Sequence, residues 1–146
     1  TIVVPDDFST IQDAINNASS GDTVLVREGN YSTGLEYVSP LSEGNLYIDK
    51  PIKLIGQNSQ NTIINTKTRI TYGSGLLIKA NDVTVSGFTI KGDRNVISVY
   101  DGSATISYNI IELTGDSSAV NIGGSSCQVL SNTIAGFNVS CAIGRG

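Results

Sequence analysis

The sequence predicts an all-β solenoid of short parallel strands with one amphipathic helix over its N-terminal end. Three observations lead there. First, the stretch from Leu76 to Gly136 repeats: LLIKANDVTVSGFTIKGDRNV, then ISVYDGSATISYNIIELTGDSSA, then VNIGGSSCQVLSNTIAG. Stacked on their apolar letters, Leu76, Ile97 and Val120 share a column, as do Ile78, Val99 and Ile122. Val83, Ala104 and Cys127 form a third column, Val85, Ile106 and Val129 a fourth, and Ile90, Ile111 and Ile134 a fifth. Second, apolar and polar residues alternate at period two within each row, the pattern of a strand with one buried face. Third, turn-forming pairs such as Asn81-Asp82, Asp101-Gly102 and Gly123-Gly124 divide each row into about three short strands. One such row cannot bury its own apolar edge, whereas stacked rows share a continuous core, each about 4.8 Å from the next. The crossover rule makes the winding right-handed. The expectation is therefore a right-handed parallel β-helix of about five coils.

The elements follow in chain order. Residues 1–22 are expected to form an N-terminal strand and a capping helix, and residues 23–146 the coils, in a single domain. Thr1 to Val4 alternates like a strand and meets Pro5. Ser9-Thr10-Ile11-Gln12 has the capping-box pattern, and Ile11, Ala14, Ile15 and Ala18 recur at helical spacing. This helix should end near Ser19-Ser20-Gly21 and cover the first coil, blocking edge-on association. Thr23 to Arg27 should start the stack. Tyr31–Asn45 and Thr66–Gly75 exceed normal turns and are expected to protrude as loops, the places where such scaffolds carry binding function.

The register extends upstream, setting Leu46 and Ile48 on Leu76 and Ile78, Ile52 and Leu54 on Val83 and Val85, and Gly56 on Gly87. Residues taken as outward-facing agree with it. Asn109 lies over Asn132, Lys91 over Glu112, and Asp49 beside Lys79. After Ile134, the residues Phe137, Val139, Cys141 and Ile143 begin another alternating row with no amphipathic cap behind it. That end is expected to be covered by further chain or by another subunit.

The 146 residues are 39% apolar with a net charge of −4, few aromatics, and no His, Met or Trp. Lys and Arg are dispersed, so no basic stripe marks a nucleic-acid partner. No apolar run reaches the length of a membrane span. The chain begins with Thr, which is read as a removed leader or a piece of a longer protein. Cys127 falls in a core column and Cys141 roughly in that of Val120. Two buried free thiols and, in an exported chain, a disulfide across the coil are both open. Spacing and the absence of His exclude a Cys/His metal site.

GDTVLVREGNY, then LYIDKPIKLIGQNSQNTII, then VTVSGFTI resembles the opening of right-handed parallel β-helix proteins of the pectin lyase-like class. That class includes pectinesterase-type enzymes and many cell-surface repeat proteins. The resemblance runs from about Ile11 to Ile134 and rests on scaffold positions. Its enzymes use an Asp pair with an Arg, or Asn-Thr-Asp, Asp-Asp and Gly-His-Gly words, or calcium-binding acids with a basic Arg. Here no His exists, the one Asp-Asp is Asp6-Asp7 ahead of the helix, and Asn132-Thr133 is followed by Ile134. Copper delivery, known for similar repeats, lacks Met and His ligands.

No catalytic residue is therefore assigned. The nearest constellation is Asp93, Arg94 and Asp116, all in expected turns, a candidate calcium or sugar site with no other cofactor implied. Sequons at Asn17, Asn30 and Asn138 would carry glycans if the chain is exported. The function expected is a non-catalytic, exported structural or adhesive protein of a cell surface, sheath or extracellular assembly. The alternative is the N-terminal part of a polysaccharide-binding or polysaccharide-cleaving protein.

Overall fold

The computed structural model describes residues 1–32, 44–66, 74–92, 96–100, 102–114, 120–123, 126–136 and 141–143. These residues build three sheets and one short helix. The first sheet has the order β1 (Ile2–Val4), β2 (Thr23–Val26), β5 (Lys53–Gly56), β8 (Val83–Ser86), β11 (Ser103–Ser107) and β14 (Ser126–Leu130). The second runs β3 (Gly29–Ser32), β6 (Thr62–Asn65), β9 (Thr89–Gly92), β12 (Ile110–Leu113) and β15 (Thr133–Gly136). The third runs β4 (Gly44–Ile48), β7 (Ser74–Ile78), β10 (Ile97–Tyr100), β13 (Val120–Gly123) and β16 (Cys141–Ile143). From β2 onward the chain visits the three sheets in turn and returns beside the strand it left. Parallel neighbours need a crossover between them. In this chain two strands of the other sheets supply it instead of a helix, which makes an all-β, parallel, solenoid-like fold.

The pairing reproduces the expected columns. Ile97 lies between Leu76 and Val120, and Val99 between Ile78 and Ile122. Ala104 lies between Val83 and Cys127, Ile106 between Val85 and Val129, and Ile111 between Ile90 and Ile134. Upstream, Leu46 and Ile48 pair with Leu76 and Ile78, and Leu54 with Val85. One core cluster holds Leu46, Ile48, Leu54, Leu76, Ile78, Val83, Val85, Ile90, Ile97, Val99, Ala104, Ile106, Ile111 and Val120 together with Phe88 and Val96. Each Val, Leu or Ile fully withdrawn from water contributes about 1.5–3 kcal/mol, which is what drives the stacking. At the close packing of Gly56 on Gly87, a Cβ at position 56 would collide with the Gly87 carbonyl.

Helix α1 (Ile11–Asn17) buries Ile11, Ala14 and Ile15. Its N-cap is Thr10, whose Oγ1 accepts from the Asp13 N–H at 3.1 Å. The expected box of Ser9 with Gln12 does not form, because Gln12 has a better use. Its Nε2 donates to the Tyr47 carbonyl at 3.1 Å while its Oε1 accepts the Tyr47 N–H at 2.9 Å. One primary amide thus satisfies both backbone groups of Tyr47 on edge strand β4, as a neighbouring strand would. The helix stops at Asn17, earlier than expected, and Lys50 Nζ donates to the carbonyls of Asn16 and Ala18 at its C-terminus.

Between the first and second sheets the chain turns on two residues: Gly87-Phe88, Tyr108-Asn109 and Ser131-Asn132. The first of each pair is left-handed, with φ of 84°, 56° and 56°. A ladder of asparagines holds this corner. Asn109 Oδ1 accepts the Phe88 N–H at 3.1 Å and its Nδ2 donates to the Val85 carbonyl at 3.0 Å. Asn132 repeats the arrangement on the Asn109 N–H at 3.0 Å and the Ile106 carbonyl at 2.8 Å. The two side chains also bond each other at 3.2 Å. The expected stacking of Asn109 on Asn132 is present, but Asn109 is 1% exposed and does not face outward.

Other expectations are corrected. The first sheet begins at β1, paired in parallel with β2, and not at Thr23. Tyr31 and Ser32 belong to β3, Gly44 and Asn45 to β4, and Ser74 and Gly75 to β7. Those ends pair because the ladder supplies partners for their backbone groups, so the two expected loops are shorter than the sequence suggested. What remains of them, 33–43 and 67–73, lies outside the described residues. In the third sheet Leu77 and Ser98 alternate away from the core column yet are buried, so both faces of those strands are covered. At the far end Cys127, Val129 and Ile134 pack against the core but are only half-buried. No helix among the described residues is long and apolar enough to cross a membrane.

Candidate functional site

The alternation that sends Val83, Val85, Ala104 and Ile106 into the core sends Thr84 and Thr105 to the outer face of the first sheet. The register extends that row, with Lys53 paired to Thr84, Thr84 to Thr105, and Thr105 to Gln128. Neighbours in it are separated by about 4.8 Å, the spacing of hydrogen-bonded strands. Asp82 and Ser103 lie at the strand starts beside it. Together these side chains line an open groove of about 380 Å³.

The polar groups of this groove are largely unspent. Ser103 Oγ accepts the Asp82 N–H at 3.0 Å, holding Asp82 in its left-handed turn at φ 56°. The side chains of Lys53, Asp82, Thr84, Thr105 and Gln128 have no hydrogen-bond or ion-pair partner among the described residues. Several threonines elsewhere have their hydroxyls engaged. Thr66 Oγ1 donates to the Lys91 carbonyl at 2.8 Å, and Thr114 Oγ1 to the Gly92 carbonyl at 3.1 Å. Thr62 Oγ1 accepts the Asn58 N–H at 3.0 Å.

The same alternation puts Ser86, Ser107 and Leu130 on that face, and Tyr108 follows Ser107 at the corner. Tyr108 is 67% exposed and Leu130 50%, and the Tyr108 N–H donates to the Leu130 carbonyl at 3.2 Å. Both are large apolar side chains left open to solvent near the corner.

Among the described residues, Tyr31 and Cys127 have displaced pKa values. Burial pushes the Tyr31 phenol up, and the carboxylate of Asp6 adds to the effect; its Oη donates to the Arg27 carbonyl at 2.8 Å. Arg27 in turn pairs with Asp6 at 3.0 Å on the surface. Cys127 is a free thiol raised by burial, with its backbone hydrogen bond to Ala104 working the other way.

Asp93, Arg94, Asp116 and Asn138 lie outside the described residues. Asn17 is exposed in the last turn of α1, with its Nδ2 donating to the Asp13 carbonyl at 2.8 Å. Asn30 is exposed on β3 and accepts a hydrogen bond from the Asn65 amide. Cys141 pairs with Val120, in the column expected. Lys91 and Glu112 form the expected ion pair at 3.7 Å, whereas Asp49 and Lys79 make none among the described residues. No group of three or more His, Cys, Asp or Glu that could hold a metal occurs among the described residues.

Sequence reasoning missed the groove, although the register that stacked the core also implied the outer row Lys53, Thr84, Thr105 and Gln128. Comparison with family models, curated proteins and solved structures finds no match to this chain.

Proposed function

We propose that the chain is a non-catalytic structural or adhesive element of a cell surface, sheath or extracellular assembly. In this reading it winds as a right-handed parallel β-helix of about five coils, of the pectin lyase-like kind, and is exported. The supporting observation is the asparagine ladder. Its hydrogen bonds link successive passes of the chain through the buried corner, so polar side chains are used for stiffness along the axis. The half-buried Cys127, Val129 and Ile134 favour a cover over that end, from further chain or another subunit.

The test is turnover. The protein should neither cleave nor de-esterify polygalacturonate or its methyl ester, with or without calcium. Activity above a heat-killed control that vanishes in Asp93→Ala or Asp116→Ala reverses the reading. A polysaccharide-binding or polysaccharide-cleaving role is the second reading, favoured by the unpartnered polar groove on the first sheet.

A further inference from the structure

We infer that the open edge of β3 is a docking site for an extended peptide, which adds a strand to the second sheet and alternates aliphatic with cationic residues. The inference goes beyond the scaffold reading and does not depend on it. At the N-terminal end of the stack the three sheets finish in the edge strands β1, β3 and β4. A parallel strand turns the N–H and C=O of alternate residues to its neighbour, so the residues between present theirs beyond the edge. In β1 that residue is Val3, and Asp7 takes both of its groups. Asp7 Oδ2 accepts the Val3 N–H at 2.8 Å, and the Asp7 N–H donates to the Val3 carbonyl at 2.7 Å. In β4 it is Tyr47, closed by the Gln12 amide. In β3 the Gly29 N–H donates inward to the Asn61 carbonyl at 2.9 Å, which turns the backbone of Asn30 and Ser32 outward. Neither has a backbone partner on that side among the described residues, and Asn30 is exposed. Two edges are thus sealed by groups that imitate a strand, and the third is left in the form that a strand pairs with.

The capping helix decides between a peptide and a second copy of the chain. Helix α1 packs on β1, β2 and β4 at this same end. It is about 10 Å across, whereas strands pair at about 4.8 Å, so a second solenoid approaching end-on meets the helix before its edge reaches β3. A single extended segment needs no such clearance. Asn30 also leaves a side-chain ladder open to it. Its Oδ1 accepts from the Asn65 amide, while its Nδ2 has no partner among the described residues and can donate to an incoming strand.

The side chains around the edge set the chemistry of the peptide. Tyr31, Ile64, Ile90 and Ile111 form one inward column of the second sheet. Ile64 and Ile90 are buried, but Tyr31, last in the column, packs on the core and is only half-buried. An aliphatic side chain laid on Tyr31 continues the column and removes more of the ring from water. Charge sets the residues between. Asp6, Asp7 and Glu28 are exposed, against one cation, Arg27, which Asp6 already holds at 3.0 Å. The Tyr31 hydroxyl donates to the Arg27 carbonyl at 2.8 Å, which ties this acidic group to the side of β3. Lys or Arg at alternate positions complements it.

The probe is a capped hexapeptide of alternating Lys and Val, added to the full chain and followed by amide hydrogen exchange in NMR spectra. Saturating peptide should slow exchange at Asn30 and Ser32 by about tenfold or more, and leave Val3 and Tyr47, already bonded, unchanged. Methylating every backbone nitrogen of the peptide keeps its charge and side chains but removes strand pairing, and should weaken binding by about tenfold. Ser32→Pro deletes one outward N–H and spares the inward ladder, and should weaken binding of the unmodified peptide by a similar factor. Circular dichroism checks that this variant folds; if it does not, the methylated peptide carries the comparison. A peptide with Glu in place of Lys should bind more weakly than the Lys form. The inference is overturned if the Lys-Val peptide leaves Asn30 unprotected, or protects Val3 and Tyr47 equally. It is also overturned if the methylated or Glu-containing peptide, or folded Ser32→Pro, binds as strongly. Protection of Asn30 that rises with protein concentration alone would make the occupant a second copy and overturn it too. None of these outcomes touches the scaffold reading, which fails through turnover.

Discussion

Replacing Asn109 with Ala should cost far more than its polarity suggests. The substitution removes the acceptor of the Phe88 N–H and one donor to the Val85 carbonyl, at a corner where Phe88 and Val85 are fully buried. An amide N–H has no alternative partner there, so its desolvation counts in full, about 1–3 kcal/mol. The carbonyl keeps a second lone pair, and its loss with the small void adds on the order of 1 kcal/mol. The total is roughly 2–4 kcal/mol against a typical domain stability of about 5–15 kcal/mol. For a chain of this size that lowers Tm by roughly 5–15 °C. Asn132 is itself half-buried, so in Asn132→Ala water can take over its bonds to the Asn109 N–H and the Ile106 carbonyl, and the cost should be smaller, about 1 kcal/mol. Asn109→Asp adds a signature in pH. The ionised side chain would face the Val85 carbonyl and Asn132 Oδ1 in a buried site, which raises its folded pKa above the unfolded value. The neutral acid can still donate, so this variant should be most stable at low pH and lose stability as pH rises above about 4. Urea titrations of the variants across pH 3 to 8 provide the check. If Asn109→Ala costs less than about 1 kcal/mol, the ladder is not what holds the corner.

Further outcomes follow from the same contacts. Ile106→Asp places a carboxylate at a site with 0% exposure and should unfold the protein or cost several kcal/mol, whereas Thr105→Asp on the outer face should shift Tm only slightly; equal losses in calorimetry would reverse the inward and outward assignments. Gly56→Ala drives a Cβ into the Gly87 carbonyl and should destabilise severely, while Gly21→Ala, with open space around it but φ of 91°, should cost only about 1 kcal/mol. Gln12→Ala frees both backbone groups of Tyr47 and should speed amide exchange there and promote self-association, readable by hydrogen exchange and light scattering; unchanged exchange at Tyr47 would show that the amide does not seal that edge.

The sheets were legible because period two and an offset of 21 to 23 residues constrain each other, and a slip of one would have turned Ile97, Ile106 and Ile111 outward together. What escaped were places where one residue serves two purposes. Gln12 reads as half of a capping box until β4 is seen to need a partner. Asn109 reads as an outer polar residue because sequence alternation carries no information about a left-handed corner just before it. Leu77 gave a usable hint, since Leu76-Leu77-Ile78 is unbroken and apolar, the mark of a strand covered on both faces. For the site, attention went to charged letters in turns, Asp93, Arg94 and Asp116. The groove is instead made of ordinary hydroxyls that acquire meaning only when stacked.

The corner before each asparagine has one more implication. Gly87, Tyr108 and Ser131 share one backbone shape although their side chains have nothing in common. At Tyr108 the Asn132 amide bonded to the next N–H holds that conformation, whereas position 87 must remain glycine because a Cβ there would meet the Gly56 carbonyl. In the two passes that follow, the same corner works as a display slot, holding an aromatic in one and a hydroxyl in the next. A protein built this way can change what it presents along that margin without renegotiating its fold.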